Sequence, residues 1–235
     1  MATPKIGIVA ALEREVWSLI KYWSKRRVQD GGNEYELFDN GHAVLVCSGI
    51  GRGPARVGAE ALIKHVPVGL MISAGYAGAL ASGIAAGAPF VPAEVVDAES
   101  GARYNTRGGN GVLLSAGHVL GKEEKAQLAL QYGAQAVDME AATVAEVARE
   151  RGIGFHAIKA ISEEKDFDMP PVEKFVDERG RFQTGRFVLH TAVRPAGWAA
   201  AGQLAAKAAR ASRTLCDLLM EMVRSEAAAG GNGSS

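Results

Sequence analysis

The stretch Ala136-Val-Asp-Met-Glu-Ala-Ala-Thr-Val-Ala-Glu-Val-Ala148 changes from strand-like to helix-like periodicity. Its first residues are apolar, and the alanines and valines after Glu140 recur at the three- and four-residue spacing of a helix. Asp138 and Glu140 therefore stand where a strand passes into a helix. A purely structural role fits both residues there, since Asp138 can cap the helix N-terminus and Glu140 can complement the helix dipole.

Strand-like and helix-like segments alternate along the rest of the chain. Buried-strand patterns cover residues 5–11, 43–47, 68–73, 90–97, 112–115 and 155–161, and a hairpin is indicated at 27–29 and 34–39. Helical patterns cover residues 16–23 with 25–27 as their basic end, 55–62, 122–132 and 197–226. This alternation predicts an α/β fold, a three-layer α/β/α arrangement with a mixed, largely parallel central sheet. We expect a single domain over residues 1–226 and a disordered tail over 227–235.

The composition excludes several classes of function. The formal net charge is +0, so nothing indicates a nucleic-acid or anionic-membrane surface. Residues 66–93 carry no formal charge, but their five glycines and three prolines argue against a membrane span. Two distant cysteines predict reduced thiols, and the apolar run 6–11 is too short for a signal peptide core. We therefore expect a cytoplasmic protein.

Carboxylates recur just beyond the ends of three predicted strands. Glu13 and Glu15 follow the first strand, Asp138 and Glu140 follow the strand before the central helix, and Glu163 ends the last one. Ligands of parallel α/β sheets bind beyond the carboxyl ends of the strands, so we expect a shared polar site. Such a set suits cleavage of a glycosidic bond, in which carboxylates activate the nucleophile, hold the sugar and protonate the leaving group.

Three other kinds of site fit the sequence less well. A dinucleotide site would use the turn Gly49-Ile-Gly51, but the third glycine is mis-spaced and no acid ends the next strand. The five histidines are scattered without the paired spacing of metal ligands. A Gly-x-Ser-x-Gly nucleophile elbow is absent from the sequence. We expect neither a metal nor a cofactor.

Five segments together resemble the purine nucleoside phosphorylase/uridine phosphorylase superfamily, and most closely its methylthioadenosine/S-adenosylhomocysteine nucleosidase branch. In family order they are Ile6-Gly-Ile-Val-Ala-Ala-Leu-Glu-Arg-Glu-Val16, Ser48-Gly-Ile-Gly51, Ser73-Ala-Gly-Tyr-Ala-Gly-Ala79, Val137-Asp-Met-Glu140 and Lys159-Ala-Ile-Ser-Glu163. The resemblance covers residues 5–165. Each segment is weakly specific alone, but the ordered set is fairly specific.

The resemblance implies a nucleosidase that releases adenine from a 5′-modified adenosine. Glu15 would be the base that activates water, and Glu163 would be the acid that protonates a purine ring nitrogen. Glu140 would bind the ribose hydroxyls, with Met139 packing on the sugar. The remaining implied substrate-binding residues are Gly75, Tyr76, Gly78, Val119, Leu120 and Ser162, with Val119 and Leu120 bordering the base. The resemblance also suggests a homodimer.

The chain departs from the branch at several positions. Glu163 replaces an aspartate, with Asp166 as a nearby fallback, while Tyr76 replaces a serine and Lys159 an arginine. The connection over residues 92–112 is also shorter, which suggests a more open pocket for the 5′ substituent. That feature resembles a hopanoid-biosynthesis subfamily whose members release adenine from an adenosyl-lipid, and such a substrate is an alternative.

Two further alternatives concern the type of activity. Phosphorylases of the superfamily usually carry an arginine just before the third glycine-rich loop, where this chain reads Leu70-Met-Ile-Ser-Ala74. Arg52 and Arg56 could hold phosphate beside a helix N-terminus, but solvated helix residues are an equal interpretation. Water is therefore the expected nucleophile, and phosphate the alternative. The changes at Tyr76, Lys159 and Glu163 also allow a non-catalytic nucleoside-binding protein.

Overall fold

The computed structural model describes residues 4–167 and 198–231. These residues form eleven strands and five helices. The strands are β1 (Lys5–Ala10), β2 (Ser24–Asp30), β3 (Asn33–Asp39), β4 (Ala43–Cys47), β5 (Val68–Ala79), β6 (Pro89–Phe90), β7 (Glu94–Asp97), β8 (Arg103–Asn105), β9 (Val112–Ser115), β10 (Ala136–Asp138) and β11 (Gly154–Glu163). The helices are α1 (Glu13–Ile20), α2 (Arg52–His65), α3 (Lys122–Tyr132), α4 (Ala141–Glu150) and α5 (Trp198–Gly231).

One mixed sheet contains all of these strands. Its order is β2-β3-β4-β1-β5-β10-β9-β7-β8, and β11 pairs with β5 and β6. Strands β4, β1, β5 and β11 are mutually parallel, whereas β10 runs antiparallel to the end of β5. The parallel part places the carboxyl ends of β1, β4, β5 and β11 at one edge, which is where the candidate site lies.

Apolar helix faces cover both sides of the sheet. On one side, α2 packs its alanines and Leu62 onto β1 and β4, and α4 packs its alanines and valines onto β5 and β11. On the other side, Val16 and Leu19 of α1 meet Leu215 and Leu219 of α5. Both apolar clusters contain strand residues that are almost fully buried, as the continuous apolar strand patterns predict. The predicted three-layer α/β/α class is confirmed.

Several predicted boundaries differ from the structure. The basic residues 25–27 lie in β2 rather than at the end of α1, which stops at Ile20. The predicted strand 90–97 is divided into β6 and β7, and β8 lies in a part of the chain where the sequence patterns predict neither a strand nor a helix. Helix α5 extends to Gly231 and so includes part of the predicted tail. Residues 164–190, to which the sequence patterns assign no strand or helix, lie mostly outside the described residues, and residues 232–235 lie outside them entirely.

Strand β5 is longer than predicted and occupies the centre of the sheet. It continues through the glycine-rich segment 74–78, which resembles a loop of the family, because β11 pairs with residues 70–78 of β5. The pairing sets Lys159 beside Gly75 and Glu163 beside Gly78, with a bulge between Ile161 and Glu163. The bulge re-aims the last side chains of β11.

Helix α5 is joined to three earlier parts of the chain by side chain–backbone hydrogen bonds. The Ser212 hydroxyl donates to the carbonyl oxygen of Glu15 at 2.9 Å, and the Thr214 hydroxyl donates to that of Gly87 at 2.7 Å. The Tyr76 hydroxyl of β5 donates to the carbonyl oxygen of Ala208 at 3.0 Å. Within the described residues, no helix has both the length and the apolar character needed to cross a membrane.

Candidate active site

Glu15 lies in the first turn of α1, directly after β1, and is 5% exposed. Its Oε2 atom has no hydrogen-bond partner among the described residues. A Cβ atom placed on Gly75 would be 3.1 Å from this oxygen, so the small residue lets the carboxyl group approach the β5 backbone. Glu15 is therefore a buried acid with one oxygen left to bind something else.

Glu140 and Asp138 lie at the junction of β10 and α4. Glu140 accepts a hydrogen bond of 2.7 Å from the backbone N–H of Gly51, at the start of α2. Asp138 accepts one of 3.0 Å from the N–H of Ala141 in the first turn of α4. The structural role of Asp138 at the helix start is thus present, and Glu140 joins the loop after β4 to the strand-helix junction.

Lys159 of β11 is the buried cation of this group of carboxylates. Its ammonium lies 2.8 Å from Asp138, and the two side chains are 1% and 0% exposed. It also donates a 3.0 Å hydrogen bond to the Ser73 hydroxyl of β5. A Cβ atom on Gly75 would be 3.9 Å from its Nζ atom. Lys159 therefore places a cation of β11 beside Ser73 at the centre of the sheet.

Burial and the charge of a neighbouring carboxylate raise the pKa of both glutamates. Burial, and secondarily the charge of Glu140, raises the pKa of Glu15 to about 8, against the opposing effect of Lys159. Removal of water from around Glu140, together with the charge of Asp138, raises the pKa of that carboxyl as well. Glu140 is thus close enough to influence Glu15, and Lys159 favours the ionised form of both carboxyl groups.

Glu163 has a different set of neighbours. One carboxylate oxygen lies 3.9 Å from the ammonium of Lys125 on α3, and the side chains are 6% and 7% exposed. The other oxygen accepts a hydrogen bond from the Ser162 hydroxyl. Burial is the main reason that the pKa of Glu163 is raised, with Ser162 and Lys125 opposing it. Lys159 and Glu163 are four residues apart on β11, or roughly 13 Å at a rise of about 3.3 Å per residue.

The other predicted site residues lie around Glu15 and Glu140 or around Glu163. Met139 is partly exposed beside Glu140, and Val119 is partly exposed in the loop before α3. Leu120 is 5% exposed and packs in an apolar cluster with Leu80 and Leu114. The hydroxyl of Tyr76 is directed to α5 by its hydrogen bond, so the replacement of serine by tyrosine adds a contact to that helix.

The fallback acid and the candidate phosphate-binding arginines have other partners. Asp166 is exposed and lies 4.0 Å from Lys122. Arg52 pairs with Asp97 at 2.6 Å and with Glu99 at 3.2 Å. The guanidinium of Arg56 pairs with three glutamates of α2 and α4, namely Glu60, Glu146 and Glu150. Both arginines are thus paired with carboxylates.

Replacing Gly78 with alanine should displace Glu163. A Cβ atom there would be 2.4 Å from the Glu163 Oε1 atom, so the carboxyl group must move. We expect kcat to fall by about tenfold or more, since small misplacements of reacting groups are costly. Steady-state kinetics would test this, with Gly53→Ala as the control because an added Cβ at Gly53 meets nothing within 4 Å. Equal kcat values for both variants would contradict the placement of Glu163.

The sequence patterns do not predict the roles of two lysines. They mark Lys159 only as a replacement for arginine, and they place Lys125 in a helix without distinguishing it from the other charged residues there. A single lysine inside the apolar strand 155–161 does indicate a buried ion pair, because burying a charge is costly unless an opposite charge lies beside it. Lys125 carries no such signal, since α3 also has lysine and glutamate at exposed positions.

Comparison with known proteins gives the family and the fold. A sequence model of the phosphorylase superfamily matches residues 5–122 and 101–191. The structure resembles S-adenosylhomocysteine nucleosidase from Streptococcus pyogenes, with 24% identity, a TM-score of 0.62, and coverage of 71% of this chain and 87% of that chain. It also resembles futalosine hydrolase of Helicobacter pylori, with 19% identity, a TM-score of 0.69, and coverage of 94% and 98%.

A third similar structure is 5′-methylthioadenosine/S-adenosylhomocysteine nucleosidase from Helicobacter pylori in complex with butyl-thio-DADMe-Immucillin-A. Its identity is 19% and its TM-score 0.67, with coverage of 94% of this chain and 100% of that chain. These three likenesses establish the fold, and the sequence model, which spans most of the chain, establishes the family. The chain belongs to the phosphorylase superfamily.

Proposed function

We propose that this protein is a nucleosidase that hydrolyses the N-glycosidic bond of a 5′-modified adenosine and releases adenine. The observation that carries the proposal is the Glu15 carboxyl group, which is buried, has an unpartnered Oε2 atom and has a pKa raised to about 8 by burial. A base with a pKa near the working pH is suited to accept a proton from water. The proposal thus gives Glu15 the role of general base.

The two acidic groups suggest how a nucleoside would lie. Its sugar would contact Glu140, within reach of a water held by Glu15, and its purine would extend toward Glu163. The oxygen of that water attacks C1′ while the C1′–N9 bond breaks, and the electron pair of the C1′–N9 bond passes to the purine. Glu15 takes a proton from the water, and Glu163 gives a proton to the purine ring.

Hydrolysis is favoured over phosphorolysis by the charges around the site. Asp138 pairs with Lys159, Asp97 and Glu99 pair with Arg52, and three glutamates surround Arg56. A phosphate would have to displace these carboxylates, whereas a water molecule needs no cation. We therefore propose water as the nucleophile. A homodimer and a cytoplasmic location stay predictions.

Product analysis with and without phosphate tests the proposal. The purified protein is incubated with methylthioadenosine, S-adenosylhomocysteine, adenosine, inosine and, because of the likeness to futalosine hydrolase, futalosine. We expect adenine and free sugar from a 5′-modified adenosine, at the same rate in both buffers. A sugar phosphate, formed only when phosphate is present, would identify a phosphorylase. Binding without release of base in every tube would identify a nucleoside-binding protein.

A further inference from the structure

Helix α3 buries a lysine where an apolar residue would be expected. Lys125 is 5% exposed and is the one fully buried residue of the helix. Its neighbours Leu128 and Tyr132 pack only partly against the apolar cluster below α3. Burying an ammonium costs several kcal/mol unless a partner compensates, so packing alone does not explain a lysine at this position.

The partner of Lys125 is the predicted acid. Its Nζ atom lies 3.9 Å from Oε1 of Glu163, and both side chains are almost completely removed from solvent. The Ser162 hydroxyl binds the other oxygen, and Gly78 lies so close that any side chain there would touch Oε1. Lys125, Ser162 and Gly78 therefore fix the Glu163 carboxyl group on three sides.

We propose that Lys125 is a positioning residue that holds Glu163 and stabilises the carboxylate formed when Glu163 gives its proton to the leaving purine. This inference rests on the proposed function. The C1′–N9 bond breaks with its electron pair passing to the purine, and the Glu163 proton moves to a purine ring nitrogen. The resulting carboxylate then faces the ammonium of Lys125 until solvent returns the proton. The interaction is stronger after proton transfer than before it, so it lowers the barrier.

Other charges near Glu163 do not replace this effect. Glu164, the next residue in the chain, pairs with Lys207 of α5, so these two charges largely offset each other at Glu163. Lys125 therefore remains as the buried cation whose charge acts on Glu163. It has two opposing consequences: it favours loss of the Glu163 proton during the reaction, and it lowers the pH at which Glu163 loses that proton in the free enzyme.

The variant Lys125→Met separates a role in proton donation from a role in packing. Methionine keeps most of the volume and removes the charge. We expect kcat to fall about tenfold or more, as a fraction of the contribution of a general acid. The basic limb of the kcat/KM profile should move to higher pH, because Glu163 keeps its proton longer. Lys125→Arg should restore both properties, and Lys122→Met, at an exposed position one turn earlier, should change neither.

A titration without substrate makes the inference testable even if no nucleoside is cleaved. Carbon-13 NMR of glutamate carboxyl groups, with the Glu163 signal assigned by its loss in Glu163→Gln, gives the midpoint directly. The midpoint should be higher in Lys125→Met than in the wild type, and Lys125→Gln gives the same readout if the methionine variant does not fold. An unchanged midpoint, or a loss of activity without a shifted basic limb, would overturn the proposal. Failure of the wild type to cleave any nucleoside would instead count against the proposed function.

Discussion

The Glu15→Gln variant should lose about 10²–10⁴-fold in kcat, the usual contribution of a general base. Glutamine keeps the shape of the side chain but cannot accept a proton from water. The matched control is Glu13→Gln, which makes the same change in the same helical turn at an exposed residue. Steady-state release of adenine would measure both. A Glu15→Gln enzyme as fast as the control would remove Glu15 from the mechanism.

The raised pKa of Glu15 predicts how kcat/KM depends on pH in the wild type and in Glu15→Gln. Glu15 has a pKa of about 8 because it is buried and lies near the charge of Glu140. A base must be ionised in the free enzyme, so Glu15 should give the wild-type kcat/KM profile an acid limb, with a slope of about tenfold per pH unit and a midpoint near pH 8. The residual activity of Glu15→Gln should lack this acid limb. A wild-type profile that is flat from about pH 6 to about pH 8 would contradict the assignment.

As the pH rises, the free energy of unfolding of the wild type should fall while kcat/KM rises. Between the unfolded pKa of about 4.5 and the folded value of about 8, folded Glu15 holds a proton that the unfolded chain has released. Wild-type stability therefore falls as the pH rises through this window. Glu15→Gln has no such group, so at pH 8 it should be more stable than the wild type by on the order of a few kcal/mol. Urea denaturation at about pH 5 and about pH 8 would show whether the difference appears only at the higher pH.

Lys159→Met should have the largest effect on folding. The substitution leaves Asp138 buried without its cation, and breaking a buried ion pair typically costs about 3–5 kcal/mol. It also removes the charge that lowers the pKa of Glu15, so any acid limb should move to higher pH. Urea denaturation measures the first effect and the kcat/KM profile measures the second.

A double variant distinguishes the ion pair from the packing of Lys159. Asp138→Asn removes the unpaired charge and keeps an oxygen for the N–H of Ala141. Lys159→Met combined with Asp138→Asn should therefore be more stable than Lys159→Met alone, with an interaction energy of at least about 1 kcal/mol. If the two changes simply add, Lys159 and Asp138 do not act as a pair.

Much of the architecture could be predicted because strand and helix periodicities are local. Alternating strand and helix patterns indicate a largely parallel sheet, and the strand-end rule anticipates the position of Glu15 beyond β1. Glu140 approaches Glu15 from β10, which runs antiparallel to β5, so its position does not follow from that rule. The length of β5 could not be predicted in this way. Its glycines favour a loop when considered alone, and pairing with β11 and β10, far along the sequence, keeps residues 74–79 extended. Lys25 is a similar case. The local pattern places it at the basic end of a helix, but pairing with β3 makes it part of strand β2.

The charges inside the site were harder to predict than the acids at its edge. Lys159 and Lys125 acquire their roles from partners on other elements, Asp138 and Glu163, and no spacing in the sequence connects them. The burial of an ammonium depends on the whole fold, so a sequence pattern that identifies an amphipathic helix cannot identify which lysine faces inward. Contacts over long sequence separations therefore define the electrostatics of the site, while local patterns define its location.

The hydrogen bond from Ser212 to the backbone of Glu15 has a consequence for biosynthesis. A ribosome makes the proposed base near the start of the chain and the helix that holds it near the end, so most of the polypeptide is translated before the two can meet. Until then, the first turn of α1 lacks both this bond and the apolar cover of Leu215. A nascent chain released before Ser212 should thus carry all three acids and yet be unable to position the first of them.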